Sequence, residues 1–327
     1  MSAPLVPDIT FVEEADYERG FSAFFDKEIE PGLSEMESRR IEVLKQRPKR
    51  WLLAGTSYIV FIGILYLMLN ADSDATEVVF RVFGIAALLI TVWVDAPLRA
   101  FQSARKLNIL PKVVGFFGLS YRSKGSLEWS AVAASDIVPA GDESLMMGVD
   151  EVYGEYHGGY IEVVDLTTKV RSGRSTHTLY QGLFITAKFE KPFRGQTVVV
   201  GNREKILDIS LSVSSGKLHP VTLESNDFNK QFDVYSSDQI EARELLTPDI
   251  MLRLLDLSDI HAGAPVRCSY VNQTLYIIID TTRQFFLPGS IRTSVYDTKD
   301  LHDYLKQIHH VFTLVDLLKL NRQRLTT

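Results

Sequence analysis

Cysteine is almost absent: Cys268 is the only one in 327 residues. That excludes an intramolecular disulfide, a CxxC redox pair and any multi-cysteine metal site, and it fits a reducing compartment. The phosphate-cradling patterns GxxxxGK[ST] and GxGxxG after a strand are missing, as are HExxH and GxSxG, so the common nucleotide, zinc-protease and hydrolase signatures are not available. Basic excess is lacking too. The formal charge is −6, and acidic residues equal or outnumber basic ones in residues 1–50, 51–106 and 107–327 alike. This is the reverse of a nucleic-acid binder's footprint, so no nucleic-acid partner is expected, and no cofactor or metal. Internal repeats and low-complexity tracts are also absent.

What is present is a pair of long apolar runs that a mean hydropathy of +0.03 conceals. Trp51 to Asn70 carries no charge, and at about 1.5 Å per residue a helix of that length spans about 30 Å, the thickness of a bilayer core. Val78 to Val94 holds one charge, Arg81 near its start, where a long side chain snorkels to the interface. A cleaved signal peptide is disfavoured, because the first run begins only at Trp51 and a second follows it. Arg39, Arg40, Lys45, Arg47, Lys49 and Arg50 precede the first run, and Arg99, Arg105, Lys106 and Lys112 follow the second. The link between them holds only Asp72, Asp74 and Glu77. By the positive-inside rule this predicts a two-span membrane hairpin whose link faces the periplasm or exterior, with both termini cytoplasmic. Trp51 and Trp93 mark one interface, Asp95 with Pro97 ends the second helix, and Asp95 is placed to pair with Lys49 or Arg50.

Three parts follow. Residues 1–50 read as a cytoplasmic amphipathic helical arm, residues 51–97 as the transmembrane hairpin (51–70 and 78–94, closing by 97), and residues 108–327 as a cytoplasmic domain with room for two subdomains meeting near 202–217. In the arm, Tyr17, Phe21, Phe24 and Phe25 stand on one face of a helix running from Asp8 to about Glu30. Pro31 opens the next helix. The Phe stripe suits a partner contact, or packing on the C-terminal domain or on another copy.

Beyond the membrane, Gly115 to Arg122 reads as a strand and Ser126 to Ile137 as a helix. Val152 to His157 and Tyr160 to Thr167 form a hairpin around Gly158-Gly159. Thr176 to Glu190, broken by Gly182, and Gln196 to Gly201 continue the sheet. Strands are also expected at Val221 to Glu224 and Phe232 to Tyr235, and a hairpin joins Val266 to Val271 with Leu275 to Asp280 around Asn272-Gln273. One helix is capped by Ser236 to Asp238, another starts at Thr247-Pro248, and a long one closes the chain from Thr298 to Leu320. Strands in hairpin runs and helices in separate blocks argue for α+β with a largely antiparallel sheet and flanking helices.

Three stretches, YQGLFITAKFEKPFRGQTVVV (Tyr180 to Val200), FDVYSSDQIEARELLTPDIMLRLLDL (Phe232 to Leu257) and SYVNQTLYIII (Ser269 to Ile279), together resemble an uncharacterised bacterial two-helix membrane protein family, domain of unknown function 3137. The likeness extends from the arm's FSAFFDKEIEPGL to the last helix. It implies a two-helix anchor with a cytoplasmic α+β domain, and brings no activity or ligand residues.

Residues for contact with a partner or ligand are Phe21, Phe24 and Phe25 in the arm and Tyr156, His157 and Tyr160 around the hairpin tip, the latter weighed against a solvated tip with paired aromatics. Adjacent His309 and His310 diverge on their helix and do not make a metal pair. Cys268 suits a packed strand residue rather than a nucleophile. The function expected is a membrane-anchored cytoplasmic interaction or regulatory module without a recognisable catalytic site. A membrane-bound enzyme with an unrecognised site is the alternative. A channel or transport component is less favoured, because Thr56, Ser57 and Thr91 are mild intramembrane groups. Partners expected are the lipid bilayer and another copy or another membrane protein, with Gly55 and Gly63 permitting close helix contact.

Overall fold

The computed structural model describes residues 9–68, 73–139, 141–157, 159–189, 191–201, 216–260, 266–281, 286–287 and 289–324. The chain divides into two compact units: Met1–Lys112 with Pro288–Asp303, and Val113–Leu287 with Tyr304–Thr327.

In the first unit the helical arm begins later than the apolar spacing suggests. Residues 9–15 are not helical, and a 3-10 turn at Asp16–Glu18 leads to Gly20 in the left-handed region, φ 86°. Glu13 explains the start: its carboxylate accepts from the Gly20 and Ser22 amides, at 2.8 and 3.0 Å, and so caps α1, Phe21–Phe24. A π-turn, Phe25–Ile29, joins it to α2, Glu30–Met68. The widened turn stands just ahead of Pro31, whose ring would crowd the Lys27 carbonyl of a regular α-turn.

α2 runs antiparallel to α3, Ser73–Phe116. Arg47 faces Asp95 at 3.6 Å, the Tyr58 hydroxyl donates to the Ala87 carbonyl at 3.0 Å, and the Phe61 and Phe83 rings meet edge to face at 4.4 Å. The expected partner of Asp95, Lys49 or Arg50, is thus replaced by Arg47, two to three residues earlier. The expected stop at Asp95-Pro97 is also corrected, since α3 continues through Pro97 and Pro111 to Phe116. Pro97 has no amide to give the Trp93 carbonyl. Arg50 fills that place, donating to the Trp93 oxygen at 2.9 Å with its guanidinium 4.7 Å from the centre of the Trp93 ring. Of the link expected over Asn70 to Glu77, Asn70 to Asp72 lie outside the described residues, and α3 already begins at Ser73.

Few apolar side chains along this hairpin are used between its helices. Ala54 and Val94 are buried, but Leu52, Ile59, Ile62, Tyr66, Ile85 and Leu88 are 61–71% exposed. The stretch Arg81–Phe116 is long and apolar enough to cross a membrane.

Residues 289–303 complete this unit. Arg40, paired with Glu37 at 2.6 Å, donates to the Ile291 carbonyl, while Glu37 accepts from the Val295 amide, each at 2.9 Å. Burial is outweighed at Glu37 by the Arg40 hydrogen bond, which with the Val295 amide holds its carboxyl below the ordinary glutamate value. Arg105, itself buried, meets Asp300 at 2.6 Å.

The second unit is built on a nine-stranded sheet, every pair antiparallel, in the order β1-β2-β3-β4-β9-β8-β5-β7-β6. The strands are β1 Ser120–Lys124, β2 Met147–Tyr156, β3 Gly159–Ser172, β4 Ser175–Lys188, β5 Thr197–Gly201, β6 His219–Pro220, β7 Phe232–Ser236, β8 Val266–Val271 and β9 Thr274–Asp280. Because the sheet joins strands from before residue 202 to strands after 217, one core serves both sides of that segment. Residues 202–215 themselves lie outside the described residues. On one face α4, Trp129–Ser135, brings Val132 onto a cluster with Phe184, Val198, Tyr276 and Ile278. The remaining helices are α5 Asn226–Gln231, α6 Gln239–Leu245, α7 Pro248–Ile260 and α8 Lys299–Arg324. Ile308, Val311 and Phe312 of α8 share a small apolar cavity with Val152, Ile161 and Val163, on the sheet's other face.

Several local expectations change. The strand expected at Gly115 to Arg122 starts only at Ser120, because α3 takes the residues up to Phe116. Gly182 does not break β4. It lies there opposite Asp280 because a Cβ would come within 2.1 Å of the Ile279 carbonyl oxygen. Val221 to Glu224 is not a strand; β6 is the two-residue pair His219–Pro220, beyond which the Val221 amide still donates to the Val234 carbonyl at 2.8 Å.

Candidate functional site

The β2–β3 turn is where side chains of chemical interest converge. Tyr156 pairs with Gly159, so the two-residue loop is His157-Gly158. Gly158 lies outside the described residues. The residue seen in the left-handed region is His157, φ 45°, rather than the second glycine of the expected Gly158-Gly159 turn. A non-glycine residue is uncommon there, although histidine is enriched among the exceptions.

Helix α8 supplies what holds His157 in place. Phe312 and Asp316 are four residues apart and share a helix face. The Tyr156 ring stacks on Phe312 at 4.2 Å and 6°, and on its other side on the His157 ring at 4.2 Å and 17°. The Asp316 carboxylate then binds both residues of the tip. One oxygen accepts from the Tyr156 hydroxyl at 2.6 Å, and the other lies 3.1 Å from His157 Nδ1. Burial, then the hydrogen bond to Asp316, pushes the Tyr156 phenol above its ordinary value. His309, on the same helix, is shifted down by burial, opposed by the Asp316 charge.

With Nδ1 committed to Asp316 and its side chain 69% exposed, His157 presents an oriented imidazole edge to solvent. Such a group can form a hydrogen bond with a partner. A stacked, carboxylate-fixed aromatic pair also costs little further ordering when a partner docks. Among the described residues no group of three His, Cys, Asp or Glu gathers in a way that could hold a metal ion. Cys268 is buried, which pushes its thiol up to about 12.

Tyr160 does not join this cluster. It pairs with Glu155, so it points to the opposite face of the sheet from Tyr156, with Lys188 Nζ 5.6 Å from its ring centre. On that face Arg122 lies 4.4 Å over the Tyr153 ring and 3.1 Å from Glu151. Glu162 nearby is raised by burial and then by the charge of Glu151. In the arm, Phe21 and Phe25 are wholly buried, and Phe24 is half-buried. Phe11 meets Phe21 at 4.8 Å and Phe25 at 5.9 Å, and stacks on His302 at 4.3 Å. Those rings form core in the first unit and leave no free face at Phe21 or Phe25. Asp316 escaped sequence reasoning, although its spacing of four from Phe312 on an apolar helix face was visible.

Fold and site together define an α+β protein with an antiparallel nine-stranded sheet, a long helical hairpin and an aromatic–imidazole tip. Residues 178–320 match the model of the family described as Protein of unknown function (DUF3137), so the resemblance expected from the sequence holds over that part of the chain. The arm and hairpin lie outside the matched residues. No curated protein matches the chain. Among solved structures, the crystal structure of the mycobacterial trehalose monomycolate transport factor A, TtfA, is similar at 12% identity and a TM-score of 0.31, covering 67% of this chain and 94% of that one.

Proposed function

We propose that the chain is a membrane-anchored interaction module: α2 and α3 cross a bacterial inner membrane as a two-span hairpin, and the α+β sheet works at its cytoplasmic side. The observation that carries this reading is the outward apolar surface of the hairpin, where Leu52, Ile59, Ile62, Ile85 and Leu88 remain mostly exposed with the two helices already packed. A soluble protein rarely leaves so large an apolar surface to water, and in hydrocarbon it has its natural solvent. Basic residues at the Arg39 to Arg50 end and acids in the link favour termini on the inner side. The His157 tip, fixed and exposed, is the surface offered to a partner.

Two measurements test this. In membranes from expressing cells, alkaline carbonate should leave the chain in the pellet, and Ile59→Lys with Leu88→Lys should release it; extraction of the unaltered chain contradicts the anchor. Photo-cross-linking from position 157 in those membranes should give a discrete adduct, with another copy or another protein. Only uncross-linked monomer at every probe position on the tip would contradict the interaction role.

A further inference from the structure

β3 and β4 outrun the sheet that holds them. The pairing of β2 with β3 ends at Met147 and Thr167, and that of β9 with β4 ends at Asp280 and Gly182. Beyond these, Lys169 pairs with Thr178, Val170 with His177, Arg171 with Thr176 and Ser172 with Ser175, with no third strand beside them among the described residues. The result is a two-stranded arm whose residues 171–179 are all exposed. A lone two-stranded ribbon is marginal in water, and this one is braced at its root. Asp142 donates its amide to the Lys169 carbonyl and accepts the Arg171 amide on its carboxylate, each at 2.9 Å.

The arm's composition departs from that of the chain. No carboxylate occurs between Asp165 and Glu190, whereas Lys169, Arg171, Arg174 and His177 do, on a protein with a net charge of −6. No ion pair among the described residues involves Lys169, Arg171 or Arg174. Residues 168–179 contain no Phe, Tyr or Trp on which a nucleic-acid base could stack, and apart from the basic residues and His177 their polar remainder is serine and threonine.

We infer that this basic arm is a contact for anionic lipid headgroups. The inference rests on the membrane anchor proposed above, which also decides among polyanions. Three cations attract a free acidic partner only weakly, but a tether that confines the arm near a leaflet supplies a high effective concentration of headgroups. Electrostatic contact through three or four basic residues then suffices without inserting apolar groups.

The test uses the full chain. Cys268 is buried, so a fluorophore placed through Ser172→Cys in a Cys268→Ala background reports the arm alone. The protein is reconstituted into vesicles whose phosphatidylcholine carries a headgroup quencher, with or without abundant phosphatidylglycerol, and the vesicles are floated first. Quenching should be strong with phosphatidylglycerol, weak without it, and lost at high salt. It should weaken about fivefold in the contact equilibrium for each of Lys169→Gln, Arg171→Gln and Arg174→Gln. Equal quenching in both vesicles, or no change in the triple variant, overturns the inference. So does a label that ignores anionic lipid and responds only to added RNA or an acidic peptide. A chain that fails to float overturns the anchor and this inference together; one that floats with an unquenched arm overturns this inference alone.

Discussion

Glu18 sits almost wholly out of solvent and accepts three donors: the Glu14 amide at 2.7 Å, the Ala15 amide at 3.3 Å and His302 Nδ1 at 2.7 Å. Burial alone would raise its carboxyl, but the His302 hydrogen bond and the backbone amides carry it below the ordinary glutamate value. A carboxyl depressed in the folded state contributes stability that is complete above the unfolded value, about 4.3, and is lost as pH falls through the lower folded value. Glu18→Ala, which strands its donors, should cost about 2–3 kcal/mol at neutral pH. Glu18→Gln should cost less and flatten the acid limb, both read by thermal unfolding of the detergent-solubilised chain across pH. Asp316→Ala should release Tyr156 and His157 together, losing about 1 kcal/mol and bringing the Tyr156 phenol partway down, since burial, the larger cause of its shift, remains. Ultraviolet titration of the phenols checks this. The tip was legible from the aromatic residues beside Gly158, whereas Asp316 was not, because nothing local says which turn of a distant helix will face a given hairpin.

At the scale of elements, periodicity located the hairpins and the long closing helix, whose Leu305, Ile308, Phe312 and Val315 are all buried as their spacing implied. Boundaries failed where a remote group replaced a local one. Pro97 signals a helix end in sequence, but Arg50, from the opposite helix, supplies the donor that proline lacks, and α3 continues. Arg50→Ala should therefore destabilise the hairpin by about 1–2 kcal/mol, through the lost carbonyl partner and the lost ring contact. Arg50→Lys should recover only part, because ammonium lacks the planar fork. Unfolding in detergent micelles, followed by helical circular dichroism, measures both. If Arg50→Ala unfolds like the unaltered chain, Pro97 is tolerated for another reason.

For the whole molecule, the α+β class and the antiparallel sheet could be read from hairpin spacing, but the division into units could not. Residues 289–303 belong with the hairpin through Arg40, Glu37, Arg105 and Glu18, and pairings between segments so far apart leave no periodic trace. The proposed membrane topology, by contrast, rests on charge beside apolar runs, a signal that is local in sequence. Its test is impermeant maleimide labelling of intact cells in a Cys268→Ala background, comparing Asp74→Cys at the start of α3 with Ser123→Cys on the exposed edge of the sheet. Asp74→Cys should label from outside and Ser123→Cys only after lysis. Labelling of Ser123→Cys in intact cells, or protection of Asp74→Cys until lysis, would contradict the two-span anchor.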